Sequence, residues 1–172
     1  MITYHCPSWN STKTELGLGA FSDASFAMTQ SRHSQSGFVC LAAGGLISWY
    51  SSKQPIITLS STEAEYIGLV TAAQSILSLS NLLLELGYHG NDRIPFQICG
   101  DNVNALNAAD ETGAIHSIKH LELRWRWLQQ ETAAKRIRLE YIPGEQHPAD
   151  GLTKSLTKPK HELFVKLLGL KT

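Results

Sequence analysis

Residues 59–69 read LSSTEAEYIGL, and the run continues as VTAAQSILSLSNLLLELG to Gly87. Leu69, Val70, Ala73, Ile76, Leu77, Leu83 and Leu84 recur at three- and four-residue steps, which is helix periodicity, and Gly87 supplies a C-terminal stop. The spacing predicts a helix over Ser61–Leu86. With Ser60 as N-cap, Glu63 falls at the third helical position, so SSTE reads as a capping box. Glu65 lies two residues further, about 200° around the helix, and so points elsewhere. Capping cannot explain it: either it is a solvated first-turn acid favoured by the helix dipole, or it does chemistry.

Working outward, three strands precede this helix. LGLGAFSDAS (16–25) runs into Asp23, GFVCLAAGG (37–45) is mostly apolar, and LISWYSS (46–52) follows after a tight turn at Gly44–Gly45. The polar segment AMTQSRHSQS (27–36) links the first two. After the helix, IPFQICG (94–100) reads as a buried strand ending at Asp101, then a small helix from about Val103, a polar loop containing Gly113, and a helix over Lys119–Ala134. RIRLEYIP (136–143) alternates as a strand with Ile137, Leu139 and Tyr141 on one face. HPADGLTKSL turns into a helix at Pro148, and KHELFVKLLGL (160–170) is a last amphipathic piece. A meander of strands followed by strands alternating with helices implies an α/β class, a mixed sheet covered by helices. Residues 1–15, polar and containing Pro7, form a lead-in to a domain over 16–172.

The 172 residues suit one core, and 15 Lys plus Arg against 15 Asp plus Glu give no global positive field, so any nucleic-acid binding needs a local cluster. Cys6, Cys40 and Cys99 are scattered and odd in number, which argues against a disulfide framework or a cysteine zinc site. No apolar stretch reaches membrane-span length without polar interruption, and the start carries no signal pattern.

Asp23, Asp101 and Asp150 sit at or near element ends. If the first and fourth strands are neighbours, Asp23 and Asp101 emerge side by side, with helix starts carrying Glu65 and Asp150 close by. Four carboxylates together repel unless a cation neutralises them, and oxygen-only ligands select a hard ion such as Mg²⁺ or Mn²⁺. Two ions about 3.5–4 Å apart activate a water and stabilise the leaving oxygen of a phosphodiester.

FSDAS, GFVCLAAGGLISWYSSKQPIITLSSTEAEYIGL, ICGDNVNAL, IKHLELRWRWLQ and EYIPGEQHPADGLTKSL occur in this order. Over about Leu16–Leu170 they resemble the successive motifs of the ribonuclease H domain of copia-type (Pseudoviridae) LTR retrotransposon polyproteins. LSSTEAEY and the AD-x-LTK ending carry most of that specificity. The resemblance implies an RNase H-like fold, a five-stranded mixed sheet flanked by helices. It implies that Asp23, Glu65, Asp101 and Asp150 are catalytic metal ligands for two Mg²⁺ ions, with Mn²⁺ able to substitute. It further implies endonucleolytic hydrolysis of the RNA strand of RNA–DNA hybrids, giving 3′-hydroxyl and 5′-phosphate ends during reverse transcription. The partners implied are the hybrid and the reverse transcriptase domain of the same polyprotein, without a membrane, in a cytoplasmic virus-like particle or, for a host-derived copy, the nucleus.

His147, three residues before Asp150, is either an auxiliary residue or a surface or capping one. His116 and His120 have helical metal spacing but no third ligand; His120 either contacts nucleic acid or packs a helix start. Lys119, Arg124, Arg126, Lys135, Arg136 and Arg138, interleaved with Trp125 and Trp127, are candidate phosphate contacts; the alternative is a solvated face with tryptophans in the core. Asn102 and Asn104 either reach a phosphate or ribose 2′-hydroxyl or, for Asn102, cap the small helix. Ser22, Ser25 and Ser61 could contact the site. The rival functions are an inactive or partner-dependent binding module and another nuclease on the same fold.

Overall fold

Alternating apolar positions make strands of β1 (Leu18–Ser25), β2 (Gln35–Ala42) and β3 (Gly45–Lys53), which pair as an antiparallel meander. The computed structural model describes residues 17–27, 32–87, 95–109 and 119–170, without the side chains of 119–121. The lead-in over 1–15, Cys6, the Gly113 loop and His116 fall outside the described residues, as do the side chains of Lys119 and His120. The hairpin turn is Ala43–Gly44, one residue earlier than Gly44–Gly45, because Ala42 pairs with Gly45. Both turn residues have positive φ, 50° and 78°, the conformation whose twist matches the flanking strands.

Helix α1 (Ser61–Glu85) follows, then β4 (Phe96–Gly100), α2 (Val103–Ala108), α3 (Lys119–Ala133), β5 (Ile137–Tyr141) and α4 (Lys158–Leu167). The sheet order is β3-β2-β1-β4-β5. β4 lies parallel to β1 and β5 parallel to β4, since α1 and α3 carry the chain back across the sheet each time. The adjacency of the first and fourth strands, the condition for Asp23 and Asp101 to emerge side by side, is met, and the expected mixed five-stranded sheet is present.

Period-two alternation divides the core. Phe38, Cys40 and Ile98 face Tyr66, Leu69, Ile76, Trp125 and Leu128 of α1 and α3. Phe21, Val39, Leu41 and Cys99 face Ile142, Ala149, Leu168 and the half-buried Leu152 and Phe164 on the α4 side. The free thiols of Cys40 and Cys99 therefore lie in different layers.

Contrary to the expectation, α1 is long and apolar enough to cross a bilayer by composition alone. In the fold its buried positions, from Ala64 through Ile76, cover the sheet instead. Gly68 sets how closely it packs: a β-carbon there would meet Ser22 Oγ at 3.0 Å.

The helix expected at Pro148 is absent. Gly144–Gln146 and Asp150–Leu152 are single 3₁₀ turns, and the last helix starts only at Lys158, with Pro159 in its first turn. The shared face of β5 is also graded: Ile137 is buried, Leu139 half-buried and Tyr141 exposed, as befits an edge strand leaving the core.

Candidate active site

The capping box forms as read. Ser60 Oγ accepts from the Glu63 N–H (3.2 Å), while the Glu63 carboxylate accepts from the Leu59 N–H (2.7 Å), one residue upstream of the N-cap. Glu65, turned to the other side, is buried against β1, so the solvated-acid alternative fails.

Asp23 on β1, Asp101 directly after β4 and Glu65 on α1 converge. One carboxylate oxygen from each lies within 4.8 Å of the other two. Parallel pairing of β1 with β4 brings the two aspartates to one edge of the sheet, and the close α1–β1 packing at Gly68 brings the glutamate over them. Burial, then the charges of Asp23 and Asp101, push the Glu65 carboxyl up to about 9, against a backbone donor at Ala24 and the charge of Lys154. Burial also raises Asp23, opposed chiefly by the Thr153 hydroxyl. Three oxygen donors crowded in a partly dry pocket, with burial and then the charges of the two aspartates opposing ionisation of Glu65, fit a hard divalent cation that would neutralise them.

Asp150 lies outside that trio. Its carboxylate is ion-paired with Lys154, four residues on. The stretch DGLTK fastens this turn to the sheet: Thr153 Oγ donates to Asp23 Oδ2, Ser25 Oγ donates to the Thr153 carbonyl (2.9 Å), and Ser51 Oγ donates to the Leu152 carbonyl (2.6 Å). Gly37 leaves the space, because a β-carbon there would lie 2.8 Å from Leu152 Cβ. The sequence reading missed Thr153 and Lys154 as residues in their own right; their place in the AD-x-LTK motif was the available signal.

His147 is 2% exposed, edge-on to Phe21 at 6.0 Å. The Ala149 N–H donates to its Nδ1 (3.2 Å), so the ring proton resides on Nε2. Burial lowers its pKa against the pull of Asp23, Asp101 and Asp150, so the ring is neutral. The histidine lies in the core rather than on the surface, and its ring holds the backbone at Ala149.

Three of the six basic residues are ion-paired. Arg126 pairs with Glu122 (2.7 Å), Arg136 with Glu131 (2.5 Å) and Arg138 with Glu140 (2.5 Å). Arg124 and Lys135 are exposed. Trp125 belongs to the core: it stacks on Tyr66 at 3.9 Å and its Nε1 donates to the Ala108 carbonyl, while Trp127 packs half-buried beside it. Asn102 is the N-cap of α2, its Oδ1 accepting from the Ala105 N–H (3.0 Å), and Asn104 is exposed. Of the serines, Ser22 is buried with an unpaired hydroxyl, Ser25 holds Thr153, and Ser61 opens α1.

No protein-family model matches the chain. It is 30% identical over 154 residues to the retrovirus-related Pol polyprotein from transposon TNT 1-94 of Nicotiana tabacum, covering 89% of this chain and 11% of that protein. It is 30% identical over 156 residues to the corresponding polyprotein from transposon RE2 of Arabidopsis thaliana, covering 90% and 11%. The chain thus spans about a tenth of the length of these relatives. Among solved structures, LC11-RNase H1, isolated from compost, superposes with a TM-score of 0.59 at 15% identity over 88% of this chain and 97% of that one. The foamy viral protease-reverse transcriptase in complex with an RNA/DNA hybrid gives 0.56 at 14% identity, over 81% and 20%. Over nine tenths of its length the chain is a relative of the retrovirus-related Pol polyproteins of copia-type plant transposons, and its order of strands and helices is the ribonuclease H-like fold.

Proposed function

We propose that the domain is a metal-dependent endonuclease that hydrolyses the RNA strand of RNA–DNA hybrids, leaving 3′-hydroxyl and 5′-phosphate ends. The observation that carries this reading is the convergence of Asp23, Glu65 and Asp101 at the carboxyl edge of the β1–β4 pair. These three, with Asp150 as the fourth acid, would hold Mg²⁺, with Mn²⁺ as a substitute. Two such ions, when bound, supply activation of the attacking water and stabilisation of the leaving oxygen.

The chain's own part is positional. The Thr153 hydroxyl and the Ala24 N–H aim Asp23 and Glu65, and the core behind them keeps their field strong by excluding water. His147, buried, braces the turn before Asp150 in this scheme. Asn104, Arg124 and Lys135, all exposed, are the remaining candidates among the described residues named for hybrid contact. The hybrid in the foamy viral complex supports that substrate class, and the length of the related polyproteins supports a reverse transcriptase domain as partner.

The test is cleavage of an end-labelled RNA–DNA hybrid beside duplex DNA and duplex RNA, with Mg²⁺, Mn²⁺ or chelator, for the wild type and Glu65→Gln. Metal-dependent cutting of the RNA strand alone, lost in the variant, is expected. DNA cutting without RNA would replace this reading with another nuclease activity. A folded protein that binds hybrid and never cuts it would make the domain a binding module.

A further inference from the structure

The fourth acid already has a cation. Lys154 places its ammonium on the Asp150 carboxylate across the Asp150–Leu152 turn. The pair is not an ordinary surface bridge, for the Asp150 side chain is only 14% exposed. The turn carrying both is pinned at Thr153 and Leu152 by Ser25, Ser51 and Asp23, so the backbone has little freedom to separate them. What can move is the flexible four-carbon stem of the lysine, whose side chain is 40% exposed. The same ammonium also interacts electrostatically with Asp23, Asp101 and Glu65.

We propose that Lys154 is a resident counter-cation that competes with a divalent ion for Asp150, so that completing the four-acid set requires its displacement. The proposal rests on the metal-dependent reading above and adds a residue that governs metal occupancy. A single ammonium neutralises one carboxylate and leaves the other three exposed to mutual repulsion. An incoming divalent ion meets a like charge at Asp150 and must push it aside. Removing the ammonium frees the Asp150 oxygens and removes that repulsion, which should tighten metal binding by about tenfold for a partly buried pair.

Isothermal titration of the metal-stripped chain with MnCl₂ and MgCl₂ tests this, on the wild type, Lys154→Met, Lys154→Gln and Lys154→Arg, each also paired with Asp150→Asn. The two neutral variants guard against one failing to fold, which urea denaturation checks. Both neutral variants should bind Mn²⁺ about tenfold more tightly than the wild type. Lys154→Arg should stay close to the wild type, and most of the gain should be lost in the Asp150→Asn background, leaving only the effect of the ammonium on the other three acids. Unchanged or weaker binding in the neutral variants, while the wild type binds saturably, overturns the role of Lys154 alone. An equal gain with Asp150→Asn also overturns it, because the charge would then act without Asp150. No saturable binding in any protein overturns this proposal together with the metal site.

Discussion

Substituting Glu65 by Gln should stabilise the metal-free protein, and by more as pH rises. In the fold its carboxyl is pushed up to about 9 from an ordinary 4.5. Between those values the unfolded chain has released a proton that the folded chain still holds. Stability is therefore fully present below the unfolded value and is lost as pH rises toward the folded one, at about 1.4 kcal/mol per pH unit. At pH 7 the accumulated cost is on the order of 3 kcal/mol. Gln has the shape of the protonated acid and carries none of this cost. His147, whose pKa is lowered, acts in the opposite sense only below about its ordinary 6.5, and the rise of Cys40 from 9.0 to about 12 acts in the same sense as Glu65 only at higher pH. From pH 7 to 8 neither His147 nor Cys40 contributes, and the carboxyl of Asp23, raised by burial, acts in the same sense as Glu65. Urea denaturation in chelator, followed by tryptophan fluorescence, should show the gap between variant and wild type widening by about 1.4 kcal/mol over that unit. Saturating Mg²⁺ should reverse its sign, because only the wild type keeps the full ligand set. A gap independent of pH in chelator would refute the idea that the three acids repel one another in a dry site.

Three other substitutions probe the framework. Ala43→Asn, at φ 50° in the hairpin turn, should add about 1 kcal/mol of stability by relieving a left-handed alanine, read as a raised urea midpoint; a loss would contradict the turn assignment. Tyr66→Phe removes a hydroxyl that donates to the Trp125 carbonyl (3.0 Å) and should cost about 1 kcal/mol while hybrid cleavage is unchanged, the ring stack being retained. Thr153→Val keeps the shape but frees Asp23, and should lower Mn²⁺ affinity or cleavage by about tenfold; rates equal to the wild type would mean the hydroxyl does not orient the carboxylate.

The helix over Ser61–Glu85 was legible because its signals are local: a cap, a periodic apolar face and a glycine stop. The strands up to β4 were legible for the same reason, whereas the neighbouring of β1 and β4 that brings Asp23 beside Asp101 was set by tertiary pairing. The turn at Ala43–Gly44 was misplaced by one residue, since pairing register rather than the glycine pair selects the turning residues. Pro148 suggested a helix start, but tertiary hydrogen bonds to Ser25 and Ser51 hold the following segment as a short turn. The arginines read as a free basic surface because nothing in a one-dimensional pattern shows Arg136 reaching Glu131 or Arg138 reaching Glu140.

By itself the sequence showed most of the elements and the α/β class, because caps and periodicity are written along the chain, while the grouping of the four acids was implied by the family resemblance. Only the tertiary structure decided that Glu65 is buried beside two aspartates, that Thr153 braces Asp23, and that Asp150, outside the close trio, pairs with Lys154. Charge repulsion, desolvation and ion pairing depend on distances between residues far apart in the chain, and folding alone sets those distances.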